Sequence, residues 1–201
     1  YALIALGYTM VFGVLKLINF AHGDVYMIGA FCGYYMGRFA GVGSRPSMLA
    51  FLGVLLLSMA ICAVLGYAIE RVAYRPLRQS PRITALITAI GVSLFLEYAA
   101  QIAFGPDPKV FPTLLERVDV LQWGEVSLNN YHILILGVSF TLMLALRALV
   151  MHTRFGRAMR AVSEDIQVSD LLGIPTHAVV SRTFMIGAAL AGAAGLLADR
   201  K

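Results

Sequence analysis

The stretch KLINFAHGD, Lys16–Asp24, separates two apolar runs, YALIALGYTMVFGVL before it and VYMIGAFCGYYMG after it. Asn19, His22 and Asp24 share this one short segment. It is neither an ordinary loop nor an ordinary helix, and it reads as a break between helices at or inside a membrane. A backbone that leaves the helix within hydrocarbon must find hydrogen-bond partners, which happens only where protein or a water-filled cavity surrounds it. Two placements of residues 16–24 stand open. As a broken-helix or re-entrant segment, it sets the amides of a half-helix starting near Asp24 toward a carboxylate, either that of Asp24 or that of a substrate. Asn19, His22 and Asp24 are then candidates for a transport path. As a cytoplasmic turn, it joins two helices and Asp24 caps the second.

The composition places the chain in a membrane. Of its 201 residues 59% are hydrophobic and 13% charged, too apolar for ordinary soluble usage. The net charge of +5 comes from arginines in short links between apolar runs, where they act as topology signals rather than as a nucleic-acid surface. Cys32 and Cys62 lie inside apolar runs as small hydrophobes, so neither a disulfide nor a metal site is expected. Tyr1 begins inside an apolar run and Asp199–Lys201 ends another abruptly, so the chain is expected to be a piece of a longer protein.

About six runs approach the roughly 20 apolar residues that span a bilayer, and the expected fold is an all-α, polytopic helix bundle forming one membrane domain over residues 1–201. The runs are Tyr1–Leu15, Val25–Phe39, Met48–Ile69, Ile83–Phe104, Tyr131–Val150 and Val179–Ala198. The second carries Gly29, Gly33 and Gly37, and the sixth Gly187, Ala191 and Gly195. Both are small-xxx-small strips suited to close helix packing. The turn-rich link GVGSRPS joins the second run to the third. Arg71, Arg75, Arg78 and Arg82 follow the third run, and Arg147, Arg154, Arg157 and Arg160 gather at the end of the fifth. By the positive-inside rule both links are cytoplasmic. Residues 105–131, with Asp107, Glu116, Asp119 and Glu125 against Lys109 and Arg117, form an external loop, and Trp123 and Tyr131 are expected at the outer interface.

Glu97 and Gln101, one turn apart in the fourth run, are further path candidates, because a carboxylate inside a membrane helix faces the bundle interior or water by default. Glu97 also lies within two turns of the outer end, where interfacial water offers the alternative. In the link 151–178, Ser163 is read as an N-cap, Glu164 and Asp165 as a first turn, and Gly173 with Pro175 as a stop. That spacing predicts a short helix over about Glu164–Leu172. A solvated loop is the plainer reading of so charged a link.

YALIALGYTMVFGVLKLINFAHGDVYMIGAF at the start and RFGRAMRAVSEDIQVSDLLGIPT near the end resemble the LivH-type permease of branched-chain amino acid ABC importers. The resemblance implies a transport subunit of the bacterial cytoplasmic (inner) membrane that moves leucine, isoleucine and valine inward. It implies a second homologous permease, two ABC ATPase subunits and an extracytoplasmic amino-acid-binding protein as partners, with lipid around the bundle. It implies no cofactor on this chain, since ATP binds the ATPases, and no nucleic acid. The short helix of the 151–178 link resembles the coupling helix that seats in an ATPase groove. Arg160, Ser163, Glu164, Asp165, Asp170, Leu171, Leu172 and Gly173 are its candidate residues. A related permease for urea, short amides or another amino acid shares this architecture. An intramembrane enzyme would need a paired nucleophile and base or metal ligands, and no HExxH, GxSxG or paired membrane aspartates occur. A simple channel gives no reason for the capped helix.

Overall fold

A computed structural model describes residues 2–16, 18–39, 48–77, 80–105, 107, 119–123 and 126–198, without the side chains of Arg82 and 119–129. The link GVGSRPS, Arg78, Lys109, Glu116, Arg117, Glu125 and the chain ends lie outside the described residues.

The chain forms a bundle of membrane helices, as its apolar runs require. Helices α1 (Ala2–Leu15), α2 (Ala21–Phe39), α3 (Met48–Ile69) and α4 (Arg82–Phe104) precede a short hairpin, β1 (Asp119–Trp123) and β2 (Val126–Asn129). Helices α5 (Asn130–His152), α6 (Arg154–Glu164), α7 (Ile166–Leu171) and α8 (Thr176–Leu197) complete it. Among the described residues four helices are long and apolar enough to cross a membrane: Met48–Leu77, Ile83–Phe104, Asn130–His152 and Thr176–Leu197. The first of these is longer than its apolar run, because a π turn, Glu70–Tyr74, and a 3-10 turn, Arg75–Leu77, continue α3. α1 is shorter, and α2 carries His22, Asp24 and Arg38 within its length.

The hairpin was not anticipated in the 105–131 segment. Its strands pair antiparallel, Trp123 with Val126 and Gln122 with Ser127, and an irregularity between Asp119 and Leu121 shifts the register.

α8 is the axis of the bundle, packed by α1, α2 and α3. What allows this is the absence of side chains where backbones cross. A Cβ on Gly29 would lie 2.6 Å from the Cα of Gly192, and one on Gly195 would lie 2.7 Å from the Ala30 nitrogen. A Cβ on Gly7 would lie 2.8 Å from the Gly187 carbonyl oxygen, and one on Gly66 would meet Ala188. With no hydrophobic gain between helices in lipid, such close contact and hydrogen bonds across it hold them together. Ser58 supplies those bonds: its hydroxyl donates to the Gly29 carbonyl at 3.0 Å, with the Gly192 carbonyl 3.4 Å away. Gly33, Gly37 and Ala191 are buried as well. α5, in contrast, buries none of its residues in this chain.

Candidate functional site

The break begins where α1 stops. Lys16, with φ of 53°, donates its amide to the Phe12 carbonyl at 2.7 Å and turns the chain out of the helix. Its ammonium reaches the Glu164 carbonyl at the α6–α7 joint, 3.5 Å away. A cavity of about 250 Å³ lined by Val14, Leu15, Lys16 and residues 162–167 lies between them. α6 and the π turn both pack on α8, so the arginines of these two elements gather at one end of the bundle. The end of α1 is therefore at that basic end.

The start of α2 is not. Val25 accepts from the Cys62 thiol at 3.7 Å, and Cys62 stands near the middle of the long Met48–Leu77 helix. The Ser93 hydroxyl donates to Asp24 at 2.5 Å, and Ser93 is at the middle of α4. His22 Nε2 lies 3.2 Å from the Ile4 carbonyl, about three turns or roughly 16 Å along α1 from Leu15. Ile18–Ala21 enter α2 through a turn in which the His22 amide donates to the Asn19 carbonyl at 3.3 Å, and the His22 side chain supplies the remaining reach to Ile4. The contacts of His22 and Asp24 thus lie at the level of the bundle's middle, away from the basic end at Lys16.

Partners for the segment come from the surrounding helices. Asn19 and His22 are buried, and the Asn19 side-chain oxygen accepts from the Tyr74 hydroxyl at 3.0 Å. Beside the segment a cleft of about 390 Å³ is lined by Ile4, Tyr8, Thr9, Asn19, Phe20 and His22 among others. Asp24 stands within the first turn of α2, which starts at Ala21, rather than ahead of the helix as a cap. Glu97 is near enough to Asp24 for the two carboxyl groups to interact electrostatically. Both Glu97 and Gln101 point outward from this chain, exposed. The structure thus brings Asn19, His22, Asp24 and Ser93 into one region, with Glu97 at its margin and Gln101 a turn beyond. Ser93 and Tyr74 escaped the sequence reading, since a lone hydroxyl in an apolar helix or in an arginine-rich link carries no motif.

At the basic end the short helix forms, with a different cap. Asp165 is the N-cap of α7, accepting from the amides of Gln167 at 2.8 Å and Val168 at 3.0 Å. Ser163 lies inside α6 instead and donates to the Arg160 carbonyl at 2.7 Å. Glu164 ends α6 and does not begin the next helix. The reason is competition: α6 buries Gly156, Met159 and Val162 at three-residue spacing, and this apolar face carries the helix past Ser163. Asp165 then serves both elements, since its amide also closes α6 on the Ala161 carbonyl.

α7 ends as its glycine requires. Gly173 adopts φ of 78°, its amide bonds the Asp170 carbonyl, and the Ile174 amide bonds the Ser169 carbonyl, the paired bonds of a Schellman stop. The Thr176 hydroxyl donates to Asp170 at 3.1 Å, which ties α7 to the start of α8. Ser169 is buried beneath, whereas Leu171 and Leu172 are 87% and 75% exposed. Arg160 is exposed as well but is engaged within the chain. Its guanidinium donates to the Val150 carbonyl at 2.7 Å and closes the end of α5. Among the described residues no group of three His, Cys, Asp or Glu side chains is placed to hold a metal ion.

These features define a class: a polytopic helical membrane protein whose second helix starts from a polar break and whose basic end presents a short capped helix with exposed leucines. Residues 1–198 match the family described as branched-chain amino acid transport system / permease component, and the chain belongs to that family. It is a multi-pass protein of the inner membrane. It is 44% identical over 205 residues to the high-affinity branched-chain amino acid transport system permease protein BraD of Pseudomonas aeruginosa, covering 98% of this chain and 66% of that protein. It is 41% identical over 201 residues to the corresponding LivH proteins of Salmonella typhimurium and Escherichia coli, covering 98% of this chain and 65% of each relative. The chain thus spans just under two thirds of the length of the curated relatives it matches. No solved structure matches it significantly.

Proposed function

We propose that this chain is part of the permease subunit of an ATP-driven importer that brings leucine, isoleucine and valine into the cytoplasm. The observation that carries the proposal is the similarity, across nearly the whole chain, to proteins named as branched-chain amino acid permeases. The geometry supports a path and a docking element within it. The basic end is the cytoplasmic face, by the preference of arginine-rich links for that side. The 16–24 segment is then re-entrant, and it carries His22 and Asp24 to mid-membrane depth, with Asn19 nearer the basic end on Tyr74. There Asp24, Ser93 and the first-turn amides of α2 offer acceptors and donors suited to the charged ends of an amino acid. The exposed leucines of α7 supply an apolar contact for an ATPase groove, and ATP is bound and hydrolysed on that partner. A second permease and an external binding protein complete the assembly, and the bare faces of α5 are where further helices pack.

The test is uptake of labelled leucine in cells lacking their own importer, with the full-length permease, ATPases and binding protein supplied. Uptake that requires the binding protein and is suppressed by isoleucine and valine is the expected result. Absence of leucine uptake from the assembled complex, or its suppression by urea alone, refutes the assignment.

A further inference from the structure

The π turn Glu70–Tyr74 lies beyond the apolar run Met48–Ile69 and contacts both α8 and the 16–24 segment. Its defining bond runs from the Arg75 amide to the Glu70 carbonyl, one residue longer than the α-helical bond. The turn ends α3 and runs into a 3-10 turn at Pro76, whose missing amide interrupts the α-helical ladder there. Glu70 is fully buried despite its carboxyl group, and the Ser181 hydroxyl of α8 donates to its Oε2 at 2.5 Å. One turn on, buried Tyr74 packs its ring on Phe184 of α8, with ring centroids 5.2 Å apart, and its hydroxyl holds the Asn19 side chain in the 16–24 segment. α8 in turn begins at Thr176, bonded to Asp170 of the capped helix.

We infer that the Glu70–Tyr74 π turn is a positioning hinge that passes movement of α7, through α8, to Asn19 in the 16–24 segment. The inference builds on the proposed docking and path roles of those two elements. A continuous line of bonds is not by itself a mechanism, since coupling needs an element with two arrangements that both sites bias. The π turn supplies that element. Reverting the Arg75 bond to α-helical spacing rotates Tyr74 by about 100° relative to Glu70, and the hydroxyl then leaves Asn19. In the present arrangement Ser181 and Phe184 hold the turn from α8, so displacement of α8 by its docked end shifts the balance between the two. Glu70 and Tyr74 are positioning residues in this scheme and touch no substrate.

The test reads the 16–24 segment directly and does not depend on the cargo. Ile18 is 40% exposed beside Asn19. An Ile18→Cys probe, in the full-length permease with Cys32→Ala and Cys62→Ala and its ATPases bound, is labelled with a maleimide in the presence and absence of ATP. The expected result is a labelling rate that changes several-fold with ATP. That change is lost in Tyr74→Phe and in Ser181→Ala, while the ATPases still co-purify and still hydrolyse ATP. Glu70→Gln keeps an acceptor for Ser181 and retains the response. An ATP response that persists in both Tyr74→Phe and Ser181→Ala overturns the hinge, as does a lack of any response with Tyr74 and Ser181 intact. A complex that responds to ATP at Ile18 but takes up no leucine overturns only the assignment of cargo.

Discussion

Gly29→Ala puts the packing of the bundle to the sharpest test. The added Cβ would lie 2.6 Å from the Gly192 Cα and 3.0 Å from its carbonyl oxygen, where ordinary contact begins at 3.4 Å. Both obstacles are backbone, so no side chain can swing aside. α2 must withdraw from α8 by nearly an ångström along this line, which also stretches the bond from Ser58 to the Gly29 carbonyl. Overpacking of this kind costs about 1–3 kcal/mol, and a weakened buried hydrogen bond adds about 1 kcal/mol. Set against these is the helical preference for alanine, which favours the substitution by roughly 0.5–1 kcal/mol. The net expectation is a loss of about 1–3 kcal/mol. Gly53→Ala is the control, because nothing lies within 4 Å of its Cβ and only the favourable backbone effect remains. The assay is the thermal midpoint of the purified full-length permease in detergent, followed by loss of the monodisperse peak. Gly29→Ala should melt several degrees below the parent and Gly53→Ala at or slightly above it. Equal midpoints for the two variants would refute the close crossing of α2 and α8.

Asp165→Ala removes the acceptor of two α7 amides and should cost about 0.5–2 kcal/mol of local stability, read as weaker co-purification of the ATPases with unchanged permease yield. Gly173→Ala forces a β-carbon onto a left-handed residue at a cost of about 1–2 kcal/mol and should loosen the same association. Undiminished capture by both variants would remove α7 from the docking surface. Asp24→Asn keeps the size and an acceptor for Ser93 but discards the charge. It should reduce leucine uptake tenfold or more while ATPase capture stays intact, and normal uptake would exclude Asp24 from the path.

The bundle was legible in the sequence because its evidence is local. Apolar length identifies the spans, and small-residue spacing marks Gly29, Gly187 and Gly195 as contact points without naming what they meet. Their partners, Gly192, Gly7 and Ser58, depend on how helices distant in the chain cross, and spacing within one helix does not encode that. The error at Ser163 has a different origin. Serine before two carboxylates is a sound cap signal, but it competed with the apolar face of Gly156, Met159 and Val162, and tertiary burial of that face on the bundle extended the helix. The cap passed to Asp165, the next residue able to accept both free amides.

The polar break shows how far such reading extends. Asn19, His22 and Asp24 stand out because polar groups between apolar runs must be satisfied somewhere, and each does acquire a partner: Tyr74, the Ile4 carbonyl and Ser93. Those partners come from three separate helices, and only one of them, Tyr74, lies near a recognisable irregularity. The depth of the segment followed from the same contacts. A turn at the surface would satisfy its polar groups with water and would not require a histidine to reach a backbone carbonyl three turns up the preceding helix. Burial of His22 against Ile4 and of Asn19 against Tyr74 therefore sets the start of α2 inside the bundle, where the Asp24 carboxyl is held by Ser93.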